Sequence, residues 1–381
     1  MSHRLLVLPP VLVWHESCYR IIDRIAVGGI ILKKHLQEAV KVIHWGLGAM
    51  GQGMAKLVLN RPGLEPVGAI VSTPHKVGKD LGTLLGLEKP LDIIALDDYQ
   101  AVLGGTDADV VLLATSSFVK DVAPQIKAAI TRGKNVITIA EEMAYPWVDA
   151  PEESTEIDAL ARKHGVTVLG TGINPGFVLD TLIIALSGVC FDIQAIKARR
   201  VNDLSPFGPT VMRTQGVGTT PAEFAAGLKA GSIVGHIGFR QSISLLAAAL
   251  GWELDEIKEE REPIISKTHR ETAHVKVAPG MVAGCKHTGY GLKDGKALIT
   301  LEHPQQIQPE KEDIATGDYI TIEGEPTIKL QIRPELPGGI GTIAIAVNMI
   351  PQVIQAPPGL VTMKDLPVPA AYLGSAAKYF A

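Results

Sequence analysis

Short apolar runs alternate with segments of helical periodicity between residues 40 and 170. Runs of this kind are typical of parallel strands that are buried on both faces, because helices cover both sides of the sheet. The pattern therefore predicts a doubly wound α/β domain of the Rossmann type over residues 40–178. The predicted strands cover residues 42–45, 67–72, 93–95, 110–114, 135–139 and 166–169, and the predicted helices cover 51–59, 98–103, 119–131 and 152–164.

The pattern changes after residue 179, where segments of strand composition predominate. They cover residues 193–201, 274–279, 281–290, 297–302, 319–324 and 327–332, and helical segments at 221–230 and 242–250 interrupt them. We expect an open, mostly antiparallel sheet, and hence a second domain of the α+β class over 179–340. An apolar helix at 342–354 and a proline-containing tail follow. We expect the segment 341–381 to return to the first domain.

The first 39 residues fit neither domain, and we interpret 1–39 as an amino-terminal extension of unknown role. Residues 5–14 have the apolar character of a signal-peptide core, but Pro9 and Pro10 interrupt it and no small-residue cleavage site follows. A targeting function is therefore the less favoured interpretation.

Composition and charge narrow the possible partners. The chain of 381 residues is 46% hydrophobic and 20% charged, with a net charge of −4, which favours neither nucleic acid nor an anionic membrane as a partner. Its three cysteines, Cys18, Cys190 and Cys285, are widely spaced, which is typical of a reducing cytoplasm and not of a metal site. We expect a cytoplasmic protein that binds no metal.

The most informative motif is a GxGxxG turn between the first predicted strand and the first predicted helix. Gly46, Gly48 and Gly51 occupy its glycine positions, and Ala49 and Met50 lie between the last two. In this context the first glycine permits a tight turn, the second lets the backbone approach a pyrophosphate, and the third permits close packing of helix and strand. The motif predicts dinucleotide binding; a purely structural glycine-rich turn is the alternative.

The loop after the second predicted strand bears on the choice of nucleotide. NAD-selective folds place an acid there for the ribose hydroxyls, whereas this loop holds Ser72, Thr73, His75 and Lys76. A cation is available for a 2′-phosphate, so the sequence favours NADP, or the use of both nucleotides. In the alternative, Lys76 is an exposed loop lysine.

Two further loops follow strands at the same predicted edge. Thr115 and Ser116 have hydroxyl groups that suit the ribose or carboxamide of a nicotinamide nucleotide, or that cap the next helix. Glu141 and Glu142 stand beside a proline and two aromatic residues. Burial and mutual repulsion would raise the pKa of one carboxyl toward neutrality, which suits a general acid or base. Alternatively, one glutamate pairs with a cation or caps a helix.

The segment 170–180 joins the two predicted domains. Asn174, Pro175, Gly176 and Phe177 form a turn whose backbone amides are candidates to hold a substrate carboxylate, and a structural hinge is the alternative.

Three isolated polar residues are weaker candidates. His236 and Arg240 are possible partners of the same carboxylate, although a buried histidine and a surface cation are equally ordinary. Asn348 lies on the apolar helix and needs a partner there. That partner is either the nicotinamide carboxamide or an ordinary buried group.

Four segments carry a family resemblance. Residues 140–146, 170–177, 236–242 and 356–360 resemble the 2,4-diaminopentanoate dehydrogenases, and the resemblance extends from about Lys41 to the carboxyl terminus. It implies the dihydrodipicolinate reductase-like fold that these enzymes share with native amine dehydrogenases. It also implies a homodimer formed through the second domain, and it places a catalytic glutamate on the pair Glu141 and Glu142. Glu141 is the nearer of the two to the strand end.

The resemblance further implies oxidative deamination at C4 of 2,4-diaminopentanoate, with NAD(P)⁺ as the oxidant, within ornithine degradation. The products are 2-amino-4-oxopentanoate, ammonia and NAD(P)H. One alternative is an amine dehydrogenase or reductive aminase that acts on simple ketones and amines. A second alternative, from another class, is an NADP-binding sensor without turnover. The sequence does not carry the signature stretches of dihydrodipicolinate reductase itself.

Overall fold

The computed structural model describes residues 39–375, which form a seven-stranded β-sheet, a six-stranded β-sheet and a small two-stranded sheet, with flanking helices. The strands, in chain order, are β1 (Val40–Trp45), β2 (Leu64–Ile70), β3 (Ala95–Leu96), β4 (Val110–Leu113), β5 (Asn135–Thr138), β6 (Thr167–Gly170), β7 (Asp192–Asp203), β8 (Glu256–Ile265), β9 (Arg270–Glu271), β10 (Lys276–Val277), β11 (Val282–Lys293), β12 (Lys296–Gln306), β13 (Gly317–Glu325), β14 (Ile328–Ile332) and β15 (Gly359–Val361).

The helices are numbered in the same way. They are α1 (Ala49–Leu59), α2 (Leu81–Leu85), α3 (Tyr99–Gly105), α4 (Val119–Thr131), α5 (Pro151–His164), α6 (Thr181–Ser187), α7 (Pro209–Thr214), α8 (Pro221–Lys229), α9 (Phe239–Leu250), α10 (Gly338–Asn348) and α11 (Ile350–Gln355).

The first sheet is parallel throughout, in the order β15-β6-β5-β4-β1-β2-β3. Strand order reverses between β1 and β4, which makes the sheet doubly wound. All four residues of β4 are buried, as expected for a strand with helices on both faces. The predicted Rossmann-type sheet is confirmed.

Helices α1 and α10 run side by side in the same direction on one face of this sheet. A Cβ atom on Gly53 would lie 2.2 Å from Ile343 Cδ1, so glycine permits the close approach of the two helices. Because α1 begins at the carboxyl edge of the sheet, α10 also begins at that edge. A second helix amino terminus is thereby brought beside the glycine-rich turn.

The apolar segment predicted as one helix is divided into α10 and α11. Pro351 stands in the first turn of α11, where its missing N–H costs no helical hydrogen bond. In the described part of the chain, the stretch Gly338–Gln355 has the length and apolar composition of a membrane span, and half of it is buried in the protein. Residues of both helices pack with residues of β1, β4 and β6 in one hydrophobic cluster, as core helices do.

The second sheet is mixed, in the order β14-β13-β7-β12-β11-β8. Four of its five strand pairs are antiparallel, and β7 with β12 is the parallel pair. The predicted open, mostly antiparallel sheet is therefore confirmed. The predicted strand at 274–279 is reduced to β10, which pairs only with β9 in a separate two-stranded sheet.

The carboxyl-terminal tail adds β15 to the edge of the parallel sheet beside β6.

The described residues all lie within one compact unit, so the boundaries 40–178, 179–340 and 341–381 stay predictions. The extension predicted over 1–39 lies outside the described residues, apart from Ala39.

Candidate active site

The glycine-rich turn after β1 has the geometry that a bound pyrophosphate requires. Gly46 has a φ of +91°, and a Cβ atom there would lie 2.3 Å from the Ala114 carbonyl oxygen. A Cβ atom on Gly51 would collide with the Gly46 carbonyl oxygen, so this glycine lets α1 approach β1. A Cβ atom on Gly48 would meet nothing within 4 Å, which leaves space for a ligand against the backbone.

The amino terminus of α1 opens onto that space. Gly48 is the N-cap residue, no side chain caps the helix, and the first turn, which includes Ala49 and Met50, contains no acid. Unpaired N–H groups at a helix amino terminus favour an anion. The residues present therefore fit a dinucleotide pyrophosphate.

A cavity of about 570 Å³ lies beside the turn, at the reversal of strand order. Of the predicted nucleotide-binding residues, Gly46, Ser72, Thr115 and Ser116 line it, whereas Thr73 and His75 are exposed outside its lining. The other lining residues were not predicted: Trp45, Ile70, Val71, Asp97, Tyr99, Asp121, Pro124 and Gln125. The rings of Trp45 and Tyr99 stack, with centroids 5.2 Å apart.

Lys76 lies across the glycine-rich turn. Its Nζ donates a hydrogen bond to the Leu47 carbonyl oxygen over 2.7 Å. The lysine is therefore not an unconstrained surface residue, and its charge lies next to the turn. Asp97, at the end of β3, supplies a carboxylate to the adjacent cavity.

The hydroxyl groups after β4 are engaged with side chains of α4. Thr115 Oγ1 donates to Gln125 Oε1, and Ser116 Oγ donates to Asp121 Oδ2, each over 2.6 Å. Both pairs lie on the cavity wall, so all four side chains are placed to bind polar groups of a nucleotide.

The two adjacent glutamates have different surroundings. Glu142 Oε2 accepts a hydrogen bond from the Val119 N–H over 2.7 Å, so its carboxylate caps the amino terminus of α4. Its own N–H donates to the Ser117 carbonyl oxygen over 3.1 Å. These two bonds tie the loop after β5 to the loop after β4.

Glu141 has no such helix-capping role. Burial raises the pKa of its carboxyl, the negative charge of Glu142 adds to the rise, and a hydrogen bond with the Ser117 side chain opposes it. Glu141 lies at the carboxyl end of β5, in a short 3-10 turn that packs against α9. Its surroundings are those of a carboxyl group that titrates nearer neutrality, as general acid–base chemistry requires.

The turn after β6 is tightly ordered. The bond between Asn174 and Pro175 is cis, and Gly176 has a φ of +120°. The Gly176 N–H donates to the buried Asp180 carboxylate over 2.8 Å, so this N–H is not available to a substrate. Asn174 differs, because both polar atoms of its amide are buried without a partner. Phe177 packs into the core between the two sheets.

A buried polar cluster lies on the face of the mixed sheet that carries the core. His287 and His303 are cross-strand neighbours, and the His236 ring lies 4.9 Å from that of His303. Nε2 of His236 and Nε2 of His303 have no hydrogen-bond partner. Burial lowers the pKa of both rings well below the usual value, and the Arg200 charge contributes, so both are neutral.

Arg200 is the buried cation of this cluster. It is 2% exposed, and it donates to the Asp318 carboxylate and to the Leu336 carbonyl oxygen. The sequence interpretation missed Arg200 and His303. One sequence signal could have identified them: Arg200 in β7 and His303 in β12 are polar residues within strands that also carry apolar core residues.

Two predicted site residues have other partners. Arg240 Nε donates to Asp149 Oδ1 over 2.7 Å, and the neighbouring Gln241 donates to Asp149 Oδ2, so this guanidinium ties α9 to the loop before α5. Asn348 accepts from Arg61 over 3.4 Å at the carboxyl end of α10. At 1.5 Å per residue that end is about 15 Å from the carboxyl edge of the sheet. The structure thus offers Asn348 an ordinary protein partner.

Residues 39–375 contain no group of three or more histidine, cysteine, aspartate or glutamate side chains arranged to hold a metal ion.

Comparisons with known proteins match both parts of the chain. The family model described as the 2,4-diaminopentanoate dehydrogenase C-terminal domain matches residues 177–381, and the one described as dihydrodipicolinate reductase, N-terminus, matches 40–140. A 2,4-diaminopentanoate dehydrogenase of Acetoanaerobium sticklandii is 47% identical, over 88% of this chain and 96% of the relative. The chain belongs to the 2,4-diaminopentanoate dehydrogenase family. The predicted family and the predicted enzyme class, an oxidoreductase, are confirmed.

Amine dehydrogenases are also relatives of this family member. One from Streptomyces virginiae is 28% identical, over 86% of this chain and 96% of the relative. The solved structure of the Mycobacterium smegmatis amine dehydrogenase superposes with a TM-score of 0.78 at 31% identity, covering 90% of this chain and 100% of that chain. The predicted dihydrodipicolinate reductase-like fold, shared with amine dehydrogenases, is therefore confirmed.

Proposed function

We propose that this family member catalyses oxidative deamination at C4 of 2,4-diaminopentanoate, giving 2-amino-4-oxopentanoate, ammonia and NAD(P)H. The observation that carries the proposal is Glu141, a half-buried carboxyl of raised pKa at the carboxyl end of β5, on the same edge of the parallel sheet as the glycine-rich turn. The 47% identity to the Acetoanaerobium enzyme supports the choice of substrate. Unpartnered polar atoms of Asn174, His236 and His303 support a polar substrate.

In the proposed mechanism, Glu141 exchanges protons with the substrate, with a water molecule and with solvent. Glu141 takes a proton from the substrate ammonium group, which frees the nitrogen lone pair. The glycine-rich turn and the amino terminus of α1 would hold NAD(P)⁺, which would supply the oxidant by accepting the hydride that leaves C4 with the C–H electron pair, so that the substrate would become an iminium ion. Glu141 passes its proton to solvent and, again ionised, deprotonates a water that adds to C4. Glu141 then gives the proton taken from water to the carbinolamine nitrogen, ammonia leaves with the C–N electron pair, and loss of the hydroxyl proton to solvent gives the ketone.

The carboxylate of Glu141 has a second effect. A negative charge beside the developing iminium ion stabilises it electrostatically, and more strongly inside the protein than in water. Glu142 keeps the loop in place through Val119, so we assign it a positioning role.

The dinucleotide is NAD⁺ or NADP⁺. Lys76, with Ser72, Thr73 and His75 nearby, supports NADP⁺, because the charge of Lys76 lies beside the turn. Asp97 on the cavity wall supports NAD⁺, because a carboxylate suits ribose hydroxyls and repels a 2′-phosphate. Both nucleotides therefore belong in the first assay.

We also propose a cytoplasmic homodimer, acting in ornithine degradation, that associates through the mixed sheet. Val189 and Phe191, just before β7, are 72% and 92% exposed, and exposed apolar groups of this kind suit an interface. Light scattering of the purified protein tests the dimer, and replacing Phe191 with serine should raise the dissociation constant.

The test of the activity is nucleotide reduction at 340 nm, with 2,4-diaminopentanoate and pentan-2-amine assayed side by side. Preference for the diamino acid supports the proposed substrate. Equal or better turnover of pentan-2-amine would instead assign the chain to simple amines, in line with its amine dehydrogenase relatives. Nucleotide binding without amine-dependent reduction would indicate a sensor.

A further inference from the structure

The proposed substrate carries a carboxylate, and the chain offers a specific place for it. Of the predicted candidates, Arg240 is 38% exposed and its Nε donates to Asp149, and the Gly176 N–H donates to Asp180. Arg200 remains as a buried cation beside the unpartnered histidine rings.

The amino terminus of α10 lies next to Arg200. A Cβ atom built on Gly338 would meet only a terminal guanidinium nitrogen of Arg200, at 4.0 Å, so open space separates the helix end from the cation. Asp318 fixes this arrangement, because one carboxylate oxygen accepts from Arg200 and the other from the Leu336 N–H. The N-cap residue of α10 is Pro337, whose side chain has no group that could accept a hydrogen bond from the first turn of the helix.

The same helix end touches both other parts of the candidate active site. A Cβ atom on Gly339 would lie 3.3 Å from Met50 Cε, in the first turn of the dinucleotide-binding helix. A Cβ atom on Gly341 would lie 2.7 Å from Ile173 Cδ1, next to the turn after β6. The space beside Arg200 therefore lies where α1, α10 and that turn converge.

A second observation points to a ligand in this space. His303 is 5% exposed, and its Nε2 has no partner. It follows Glu302, which pairs with Arg199 of β7, so His303 lies beside Arg200 on the neighbouring strand. Asn174, which follows Ile173, also has a buried amide without partners. Buried polar atoms without partners are rare in proteins and call for an unseen polar group.

We propose that Arg200 and the first-turn N–H groups of α10 bind the substrate's carboxylate. His303 and Asn174 supply neutral hydrogen bonds to the same substrate. A guanidinium has five N–H donors, and Asp318 and Leu336 each receive a bond from one terminal nitrogen, which leaves donors for a carboxylate. The site would select amino acids over simple amines. This inference rests on the proposed function for the identity of the substrate.

The test compares two ligands that differ only in the carboxylate. Equilibrium binding of 4-oxopentanoate and pentan-2-one is measured by calorimetry on the full chain holding NAD(P)⁺, for wild type, Gly338→Ala and Arg200→Met. Gly338→Ala fills the space beside Arg200 without meeting any atom closer than 4.0 Å, so the fold is retained. Arg200→Met removes the cation and leaves Asp318 unpaired, so its melting temperature is measured as well.

Wild type should bind the keto acid at least tenfold more tightly than the ketone. Gly338→Ala and Arg200→Met should abolish this advantage and leave the affinity for pentan-2-one within about twofold of wild type. An advantage that survives in Gly338→Ala, or one absent from wild type, would overturn the proposal. Binding needs no turnover, so failure of the amine oxidation assay alone would reject the proposed activity and not this site.

Discussion

Glu141 and Glu142 are consecutive residues whose carboxylates have different surroundings. Glu142 is held by the amino terminus of α4, which suits an ionised carboxylate. Glu141 is half-buried, and burial raises its pKa. The sequence identified the pair, because two acids beside aromatic residues at a strand end are unusual. It could not separate their roles, since the capping contact joins residues that are 23 positions apart.

Replacing the two glutamates one at a time should separate these roles. Glu141→Gln removes the base and should lower kcat by about a hundredfold or more. Glu142→Gln keeps an oxygen that can accept from the Val119 N–H, so it should stay within about fivefold of wild type. Steady-state kinetics on both variants decide the matter. Equal losses in the two would contradict the assignment of the base to Glu141.

The raised pKa of Glu141 also predicts a pH dependence. The base acts when ionised, so kcat should be constant above its pKa and should fall as the pH drops through it. Because burial raises that pKa, the fall should begin at a higher pH than an ordinary glutamate, with a pKa near 4.5, would give. A pH profile of kcat for wild type and Glu142→Gln measures this. If kcat stays constant until the pH approaches 4.5, the pKa of an ordinary glutamate, the assignment of the base to Glu141 would be contradicted.

At the scale of elements, strands with buried faces were predicted well and the charged edge strand was missed. The sequence of β8 is EIKEEREPII, and its residues are exposed and half-buried in alternation. β8 lies at the edge of the mixed sheet, so β11 is its only partner strand in that sheet. Its charges hide the apolar signal from the sequence. The position of α10 beside α1 could not be predicted either, because it depends on packing between distant segments.

The glycine-rich turn gives a prediction about one element, the α1 amino terminus. Gly48→Ala places a methyl group in the open space, so the dissociation constant for NAD(P)⁺ should rise at least tenfold while the melting temperature stays near that of wild type. Gly51→Ala is the contrasting variant. Its methyl group collides with the Gly46 carbonyl oxygen, so the protein itself should be destabilised.

Calorimetric titration and thermal unfolding measure the two effects separately. Unchanged nucleotide affinity in Gly48→Ala would show that the turn is only structural.

At the scale of the whole molecule, the ion pair between Arg240 and Asp149 joins α9 to the loop before α5. Both side chains are about one-third exposed, so the pair should contribute about 1 kcal/mol or less to the free energy of unfolding. Arg240→Ala should therefore unfold slightly more easily and bind 4-oxopentanoate as wild type does. Denaturant unfolding and calorimetry test this. A large selective loss of keto-acid affinity would restore Arg240 as the carboxylate partner.

The position of β15 has a consequence for how the chain is made. Its partner β6 ends at Gly170, whereas β15 begins at Gly359, so almost 190 residues separate two neighbouring strands. On the ribosome, β6 is therefore an open edge until residues 359–361 have emerged. During that interval its unpaired N–H and C=O groups are a template for strands of other nascent chains. The late arrival of three residues, Gly359–Val361, ends that exposure, so synthesis through this short segment protects the β6 edge of the parallel sheet from aggregation.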